Sequence, residues 1–300
     1  MKVVVLGAAA GGGFPQWNSN AEACNRARCG DPAAPARTQA GLAVTGTGER
    51  WCLMNASPDL RTQIERTPAL HPRGAVRSSP IGAVVLTGGD VDAIAGLLTL
   101  RERQPLDLHA TERVHAVLDA NPIFEVLARD VVERWVERLD QPFNVGDGLS
   151  VELFAVPGKI PLYLERPDTA TVISTDGTTV GALISDGARR VFFIPGCAAM
   201  TPDLAQRLRG SDMVFFDGTL WRDDEMIRAG LGEKTGLRMG HLSLSGQHGT
   251  MEGFRDIEVG QKILIHINNS NPALLADSPE RRELEAAGWS VAYDGMEIEL

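Results

Sequence analysis

The sequence predicts an α/β (α+β) fold in which two mixed sheets pack together and helices cover their outer faces. Three observations predict it. Apolar runs of strand length outnumber helical stretches along the 300 residues, the helical stretches fall in both halves, and Gly and Asp turns separate strand after strand in the middle third. At 43% hydrophobic residues the chain can bury a large core without disulfides. No repeat, low-complexity tract or linker divides it, so residues 1–300 are expected to form a single domain.

The elements follow in order. Residues 2–6 are a β-branched run ending at Gly7, a buried first strand, and residues 7–20 form a glycine-rich loop. Strands are expected at 41–44 and 51–55. Ser57 as N-cap and Pro58 at the first helical position then open a helix to about Arg66. Residues 81–87 are another buried strand, followed by an apolar helix over 92–101. From there to Leu139 the pattern is helical except for a short strand at 106–109. Strands at 149–156, 171–174, 180–185 and 190–194 read as a meander. A helix at 202–208, a strand at 213–217, a polar loop, a strand at 262–267, a helix at 279–287 and a final pair of strands complete the chain.

Composition narrows the function. A net charge of -10, with basic residues interspersed among acids, argues against nucleic acid as partner, since affinity for phosphate backbones needs clustered Lys and Arg. Apart from the C-x4-C pair Cys24 and Cys29, the four cysteines are scattered, which suits a reducing compartment. The apolar start, residues 1–6, is too short for a signal peptide, and no stretch is long enough to span a bilayer. The expected location is cytoplasmic.

The run Gly7-Ala-Ala-Ala-Gly-Gly-Gly13 after a first strand invites a dinucleotide-binding reading. That motif needs the glycine turn to open directly into a helix whose N-terminus holds the pyrophosphate. Here Pro15 disfavours helical backbone at Phe14, and the acidic residue expected about twenty positions later is absent. The glycines are instead expected to let backbone pass close to a ligand or another loop.

Four segments place polar residues just past apolar strands: Thr87-Gly-Gly-Asp90-Val-Asp92-Ala93-Ile-Ala-Gly96, Phe216-Asp217-Gly218-Thr219-Leu-Trp221, Met239-Gly240-His241-Leu-Ser243 and Ile265-His266-Ile-Asn268-Asn269. His266 interrupts an apolar strand, and Asp92 and Asp217 sit in the same kind of position. A buried carboxylate needs a partner or a metal, so three such interruptions point to a site rather than to packing.

The run from Thr87 to Gly96 resembles the T-H-x-H-x-D-H-x-x-G signature of the metallo-β-lactamase fold with its histidines replaced by Gly88, Asp90 and Ala93. Asp92 stands at the aspartate of that signature, Asp217 at the later bridging aspartate and His266 at the last histidine. Nearly end to end, the chain resembles one branch of that superfamily, the PqqB family of pyrroloquinoline quinone (PQQ) biosynthesis. The likeness is carried by Gly11-Gly-Gly-Phe-Pro-Gln-Trp-Asn18, Asn55-Ala-Ser-Pro-Asp59, Asp217-Gly-Thr-Leu-Trp-Arg-Asp-Asp-Glu-Met226, Lys234-Thr-Gly236, Met239-Gly-His241, His266-Ile-Asn-Asn269, Ser278-Pro-Glu-Arg281 and Asp294-Gly-Met296.

The resemblance implies a metallo-β-lactamase-type αββα four-layer sandwich with its site at the edge between the sheets. It implies a role in PQQ biosynthesis as iron-dependent hydroxylation of the tyrosine in a peptide-derived Glu-Tyr precursor. The alternatives are a soluble carrier in transport of PQQ or its precursor to the periplasm, and a scaffold for other PQQ pathway proteins. Loss of histidine at three positions removes most ligands of a two-ion hydrolase. The remaining metal set is Asp92, Asp217 and His266 with Asp90 as a fourth, and His241 joins the first three as a catalytic group. A mixed carboxylate and imidazole set suits Fe(II), and Zn or Mn less distinctively.

Relatives of this fold hold structural zinc through C-x-C-x-x-C after the glycine loop. Here those positions read Ser19, Ala21 and Cys24, which leaves Cys24 with Cys29 as a pair of thiols for a structural metal. Lys234 and Arg238 are candidates for holding a substrate carboxylate. Trp17 and Trp221 either wall a pocket for an aromatic ring or pack in the core. The acids Asp223-Asp-Glu225 read either as further ligands or as the start of a short helix. His71, His109, His115 and His248 have no partner motif and are expected to be structural or exposed.

Overall fold

The computed structural model describes residues 1–165 and 173–300. The N-terminal half builds β1 (Lys2–Gly7), β2 (Gly41–Thr45), β3 (Trp51–Met54), β4 (Ile81–Val85), β5 (Leu106–Ala110) and β6 (Val132–Val136). The second sheet comprises β7 (Pro142–Gly146), β8 (Leu149–Ala155), β9 (Val180–Ser185), β10 (Arg190–Ile194), β11 (Ser211–Asp217), β12 (Val259–Ile265) and β13 (Trp289–Val291). A last strand, β14 (Glu297–Glu299), returns to the first sheet beside β1. Each sheet has seven strands, in the orders β14-β1-β2-β3-β4-β5-β6 and β13-β12-β11-β10-β9-β8-β7.

The pairing explains the sequence pattern. β8, β9 and β10 belong to the expected meander and pair antiparallel, with β7 added at the edge, whereas β10 to β13 run parallel. Strands covered on both faces read as continuous apolar runs, as in Met-Val-Phe-Phe of β11 and Ile-Leu-Ile of β12. Alternation then divides their side chains between two cores. Val3, Val5, Phe215, Ile263 and Ile265 point between the sheets. Val4 and Leu6 point outward on the first sheet, and Val214, Phe216 and Leu264 outward on the second.

The outer faces are closed by helices. Among the described residues the helices are α1 (Glu22–Arg28), α2 (Leu60–Arg66), α3 (Val91–Ile94), α4 (Glu112–Asp119), α5 (Pro202–Leu208), α6 (Glu225–Arg228), α7 (Gly236–Met239), α8 (Thr250–Gly253) and α9 (Pro279–Ala286). Leu60 of α2 and Val114 and Leu118 of α4 pack on the first sheet. Leu204 and Leu208 of α5 and Leu284 of α9 pack on the second. Helix, sheet, sheet and helix make the expected four-layer sandwich.

Several boundaries differ from the sequence reading. The helix expected from Ser57 starts at Leu60, because the Ser57 hydroxyl bonds Gln63 Oε1 and accepts from the amide of Asp59. The helix expected over 92–101 holds α geometry only through α3 and then tightens to a 3₁₀ turn, Ala95–Leu100. There the Gly96 amide donates to Ala56 O at 2.8 Å, and a Cβ on Gly96 would stand 2.0 Å from Ser57 O. Residues 132–136 form a strand, not a helix, since pairing with β5 overrides a helical charge pattern. β7 was not expected. The final two strands do not pair with each other but enter different sheets. Of the expected strand 171–174, residues 171–172 lie outside the described residues, and Ser174 bridges Gly158.

One carboxylate ties the two sheets at the turns. Asp147, between β7 and β8, accepts from the amides of Gly46 and Thr47 and from the hydroxyls of Thr45 and Thr47 in the β2–β3 turn. Burial works to raise its pKa, but the two hydroxyls and two amides outweigh it and hold the carboxyl below its ordinary value. A depressed folded pKa gives stability that is present above the unfolded value, roughly 4, and is lost as pH falls through the folded one. Asp147→Asn should therefore cost about 2 kcal/mol at pH 7. Urea titrations in acid should show the gap between variant and wild type closing.

Candidate metal centre

Parallel pairing of β11 and β12 sets Asp217 opposite Ile265, one residue before His266. Asp217 ends its strand fully buried, and His266 leaves its strand in the left-handed region, at φ 58°. A non-glycine residue held there costs of order 1 kcal/mol or more and is a common mark of a functional position. Asp92 comes from α3, just past the end of β4. His241 follows α7, whose terminal Gly240 takes φ 89°. The four sequence-predicted residues Asp92, Asp217, His241 and His266 converge.

They form two carboxylate–imidazole pairs. His266 Nε2 lies 2.8 Å from Asp92 Oδ2, and His241 Nδ1 lies 2.7 Å from Asp217 Oδ2. The two rings stack with centroids 5.2 Å apart. Thr219 joins the pairs: its hydroxyl is 2.6 Å from Asp217 Oδ1, 2.9 Å from His266 Nδ1 and 3.1 Å from His241 Nδ1. Backbone amides of Cys197 and Thr219 complete the surroundings of Asp217.

The electrostatics follow from burial set against pairing. Burial disfavours ionisation of Asp92, but the hydrogen bond and charge of His266 more than offset it and its carboxyl sits below the ordinary range. The same contest at Asp217 is won by His241, with His266 and Thr219 contributing. For His266 burial works against the charged ring, while the bond to Asp92 and the charges of Asp92, Asp217 and Asp90 raise its pKa.

Asp217, His241 and His266 each present a ligating atom within 4.8 Å of the others, the one such group among the described residues. Two donors each about 2.1 Å from one ion and at right angles to it are themselves about 3.0 Å apart. The 2.7 Å contact of Asp217 with His241 is close to that spacing. The donor set therefore fits a metal ion. Of the expected metal residues, Asp217 and His266 lie in this group together with His241, which was expected as a catalytic group; Asp92 contacts His266, and Asp90 lines the cavity beside it.

The site opens into a cavity of about 440 Å³, whose wall includes Gly88, Asp90 and Ala93. Those are the positions at which the resembled signature carries histidines, so space replaces the missing imidazoles. A Cβ on Gly88 would find only Thr178 O, at 4.0 Å. The glycine loop passes close by, as expected: Gly11 lines the cavity, and a Cβ there would sit 3.6 Å from Asp92 Oδ2.

Other candidates fare differently. Lys234 lines the cavity and pairs with Glu165 at 3.2 Å; Arg238 pairs with the same carboxylate at 3.4 Å without lining the wall. Trp17 and Trp221 do not wall the cavity. Trp17 is 85% exposed, and Trp221 is buried with Phe216 and Phe254 under the second sheet. Cys24 and Cys29 do not form a metal site, because five positions along α1 turn one side chain about 140° from the other. Cys24 is buried against Asn269, and Cys29 at the helix end is exposed.

The three acids Asp223, Asp224 and Glu225 point apart: to the Leu237 amide, to Arg228, and to the Trp221 and Arg222 amides with Ser270. His71, His109 and His115 bond Glu65 O, Glu137 and Trp135 O, and His248 is exposed. Sequence reasoning gave no role to Thr219, Lys159 or Glu165. The D-x-T spacing could have flagged Thr219, as an Asx-type turn onto Asp217. No local signal marks the other two.

Two mixed sheets face to face, with carboxylate and imidazole groups gathered at strand ends, define a protein of the metallo-β-lactamase type. Residues 50–267 match the family model described as "Beta-lactamase superfamily domain". The "Coenzyme PQQ synthesis protein B" of Gluconacetobacter diazotrophicus is 61% identical over 99% of this chain and 98% of its own length. That of Methylorubrum populi is 53% identical over the full length of both. A crystal structure of Zn(2+)-bound PqqB from Methylobacterium extorquens superposes with a TM-score of 0.98, at 51% identity and full coverage of both chains. A diphosphatase of the PhnP family, at 18% identity and a TM-score of 0.67 over 100% of this chain and 97% of its own, shares the fold alone. The chain belongs to the coenzyme PQQ synthesis protein B family.

Replacing Thr219 by the isosteric valine should keep the fold and remove the hydroxyl that orients both imidazoles. Metal affinity is expected to fall about 10- to 100-fold, the range for groups that hold ligands in place. Competition with a chromogenic chelator measures it, and unchanged affinity would refute the role.

Proposed function

We propose that this protein serves PQQ synthesis as a non-haem, metal-dependent oxygenase that hydroxylates the tyrosine of a peptide-derived Glu-Tyr unit. The observation that carries the reading is the convergence of two imidazoles that line a cavity, His241 and His266, with the buried carboxylate of Asp217. Two histidines and a carboxylate with open positions suit Fe(II), zinc competes for the same donors, and the Methylobacterium extorquens relative is a Zn(2+)-bound protein. Iron(II) held by these residues would supply the one-electron chemistry that dioxygen requires.

The chain's own groups do the rest. Asp92 at Nε2 of His266 and Thr219 at Nδ1 of both rings orient the imidazoles, and an ion held by His266 would replace one of the two contacts on that ring. Asp90 adds negative charge beside His266. The missing histidines at 88, 90 and 93 leave too few ligands for a two-ion hydrolase and open room for a substrate ring. Lys234 on the wall is placed to attract the acidic end of the substrate.

A carrier would need the cavity and the cations but not a paired set of ligating side chains, and that set favours catalysis. No helix among the described residues is long and apolar enough to cross a membrane. All four cysteines are free, which fits work in the reducing cytoplasm.

Protein reconstituted anaerobically with iron, then given Glu-Tyr, ascorbate and air, should yield peptide heavier by one oxygen atom. The second oxygen atom leaves as water with two electrons from ascorbate. Asp217→Ala and His266→Ala should lower iron binding and cut the rate roughly a thousandfold or more. Mass spectrometry that finds only unaltered peptide with the iron-loaded wild type would refute the hydroxylase reading.

A further inference from the structure

Glu165 lies in a ring of cations at the edge of the same cavity. Its Oε1 is 3.1 Å from Lys159 Nζ, its Oε2 is 3.2 Å from Lys234 Nζ, and the Arg238 guanidinium lies 3.4 Å from both oxygens. The side chains of Glu165 and Lys159 are only 13% and 11% exposed. Three cations on one carboxylate leave surplus positive charge, in a protein of net charge -10. Lys159 and Lys234 both face the cavity.

The ring is built into the metal centre's own support. Arg238 is on α7 and His241 is three residues further on, so their Cα atoms are at most about 11 Å apart. A dipeptide with two long side chains bridges such a span. Lys159 packs on the intervening Gly240, where a Cβ would meet Lys159 Cγ at 3.1 Å. On the other side the Tyr163 hydroxyl donates to Gly89 O at 2.7 Å, which fastens the segment bearing Lys159 and Glu165 to the turn before Asp90.

We infer that Lys159, Lys234 and Arg238 form a seat for a substrate carboxylate, and that Glu165 occupies this seat until the substrate's own acid displaces it. The inference rests on the Glu-Tyr reading for its choice of ligand. The ligand class is a phenol-bearing amino acid or dipeptide with an acidic side chain, seated by its carboxylate while the ring lies toward the metal centre. Glu165 thus sets a threshold: a neutral side chain cannot take its place, and an acidic one exchanges one carboxylate for another at little desolvation cost.

Calorimetry on zinc-loaded protein, with Glu-Tyr and Gln-Tyr as probes, tests this without turnover. Wild type should bind Glu-Tyr about tenfold more tightly than Gln-Tyr, and Lys234→Gln or Arg238→Gln should abolish that preference. Glu165→Gln, nearly isosteric, should tighten Glu-Tyr binding about threefold or more by leaving the cations unpaired. Thermal unfolding of each variant confirms that it is folded. Equal affinities for the two peptides, binding of neither, or weaker Glu-Tyr binding in the Glu165 variant would overturn the seat. Charge-selective binding by a protein that fails to hydroxylate refutes the oxygenase and leaves the seat standing. Hydroxylation with no charge selectivity does the reverse.

Discussion

A carboxylate without access to water must be satisfied from within the protein, and Asp217 at the end of β11 is such a group. Its four hydrogen bonds engage the Cys197 amide, the Thr219 amide and hydroxyl, and the His241 ring. Each partner comes from a different part of the loop system above the second sheet. One buried charge therefore organises the turn after β11, the segment after β10 and the approach of His241. Through Thr219 it also reaches His266 and, beyond that, Asp92.

The sandwich makes this arrangement rigid. β11 and the Ile263–Ile265 end of β12 have both faces buried, so their register cannot slip without moving rows of side chains into the wrong core. Register then fixes the offset between Asp217 and His266. Asp92 comes from the first sheet and His266 from the second, so their contact also records how the two sheets are stacked. The site is in that sense a property of the fold, and its ligands are positioned by packing rather than by local sequence.

The cavity shows what loss of ligands can create. Where the β-lactamase-type signature has three imidazoles, this chain has Gly88, Asp90 and Ala93, and all three face open space. The donor set that remains is Asp217, His241 and His266, with room beside it. The cation ring around Glu165 supplies the opposite charge at the cavity's edge.

Much of the architecture was legible in sequence. Continuous apolar runs gave most of the second sheet, because strands buried on both faces leave an unmistakable pattern. The polar interruptions at Asp92, Asp217 and His266 were visible as ionisable groups beside apolar runs, and the structure brings the three together through Thr219 and direct contact. What sequence alone determined was thus which residues are out of place among their neighbours. The role of His241 as partner of Asp217, the joining of both rings by Thr219 and the meeting of Lys159, Lys234 and Arg238 on Glu165 were decided only by tertiary structure. So was the strand identity of residues 132–136, and so were the separate destinations of the last two strands. Each depends on contacts between segments far apart in the chain, and local propensity and spacing carry no information about which distant surface a side chain will face.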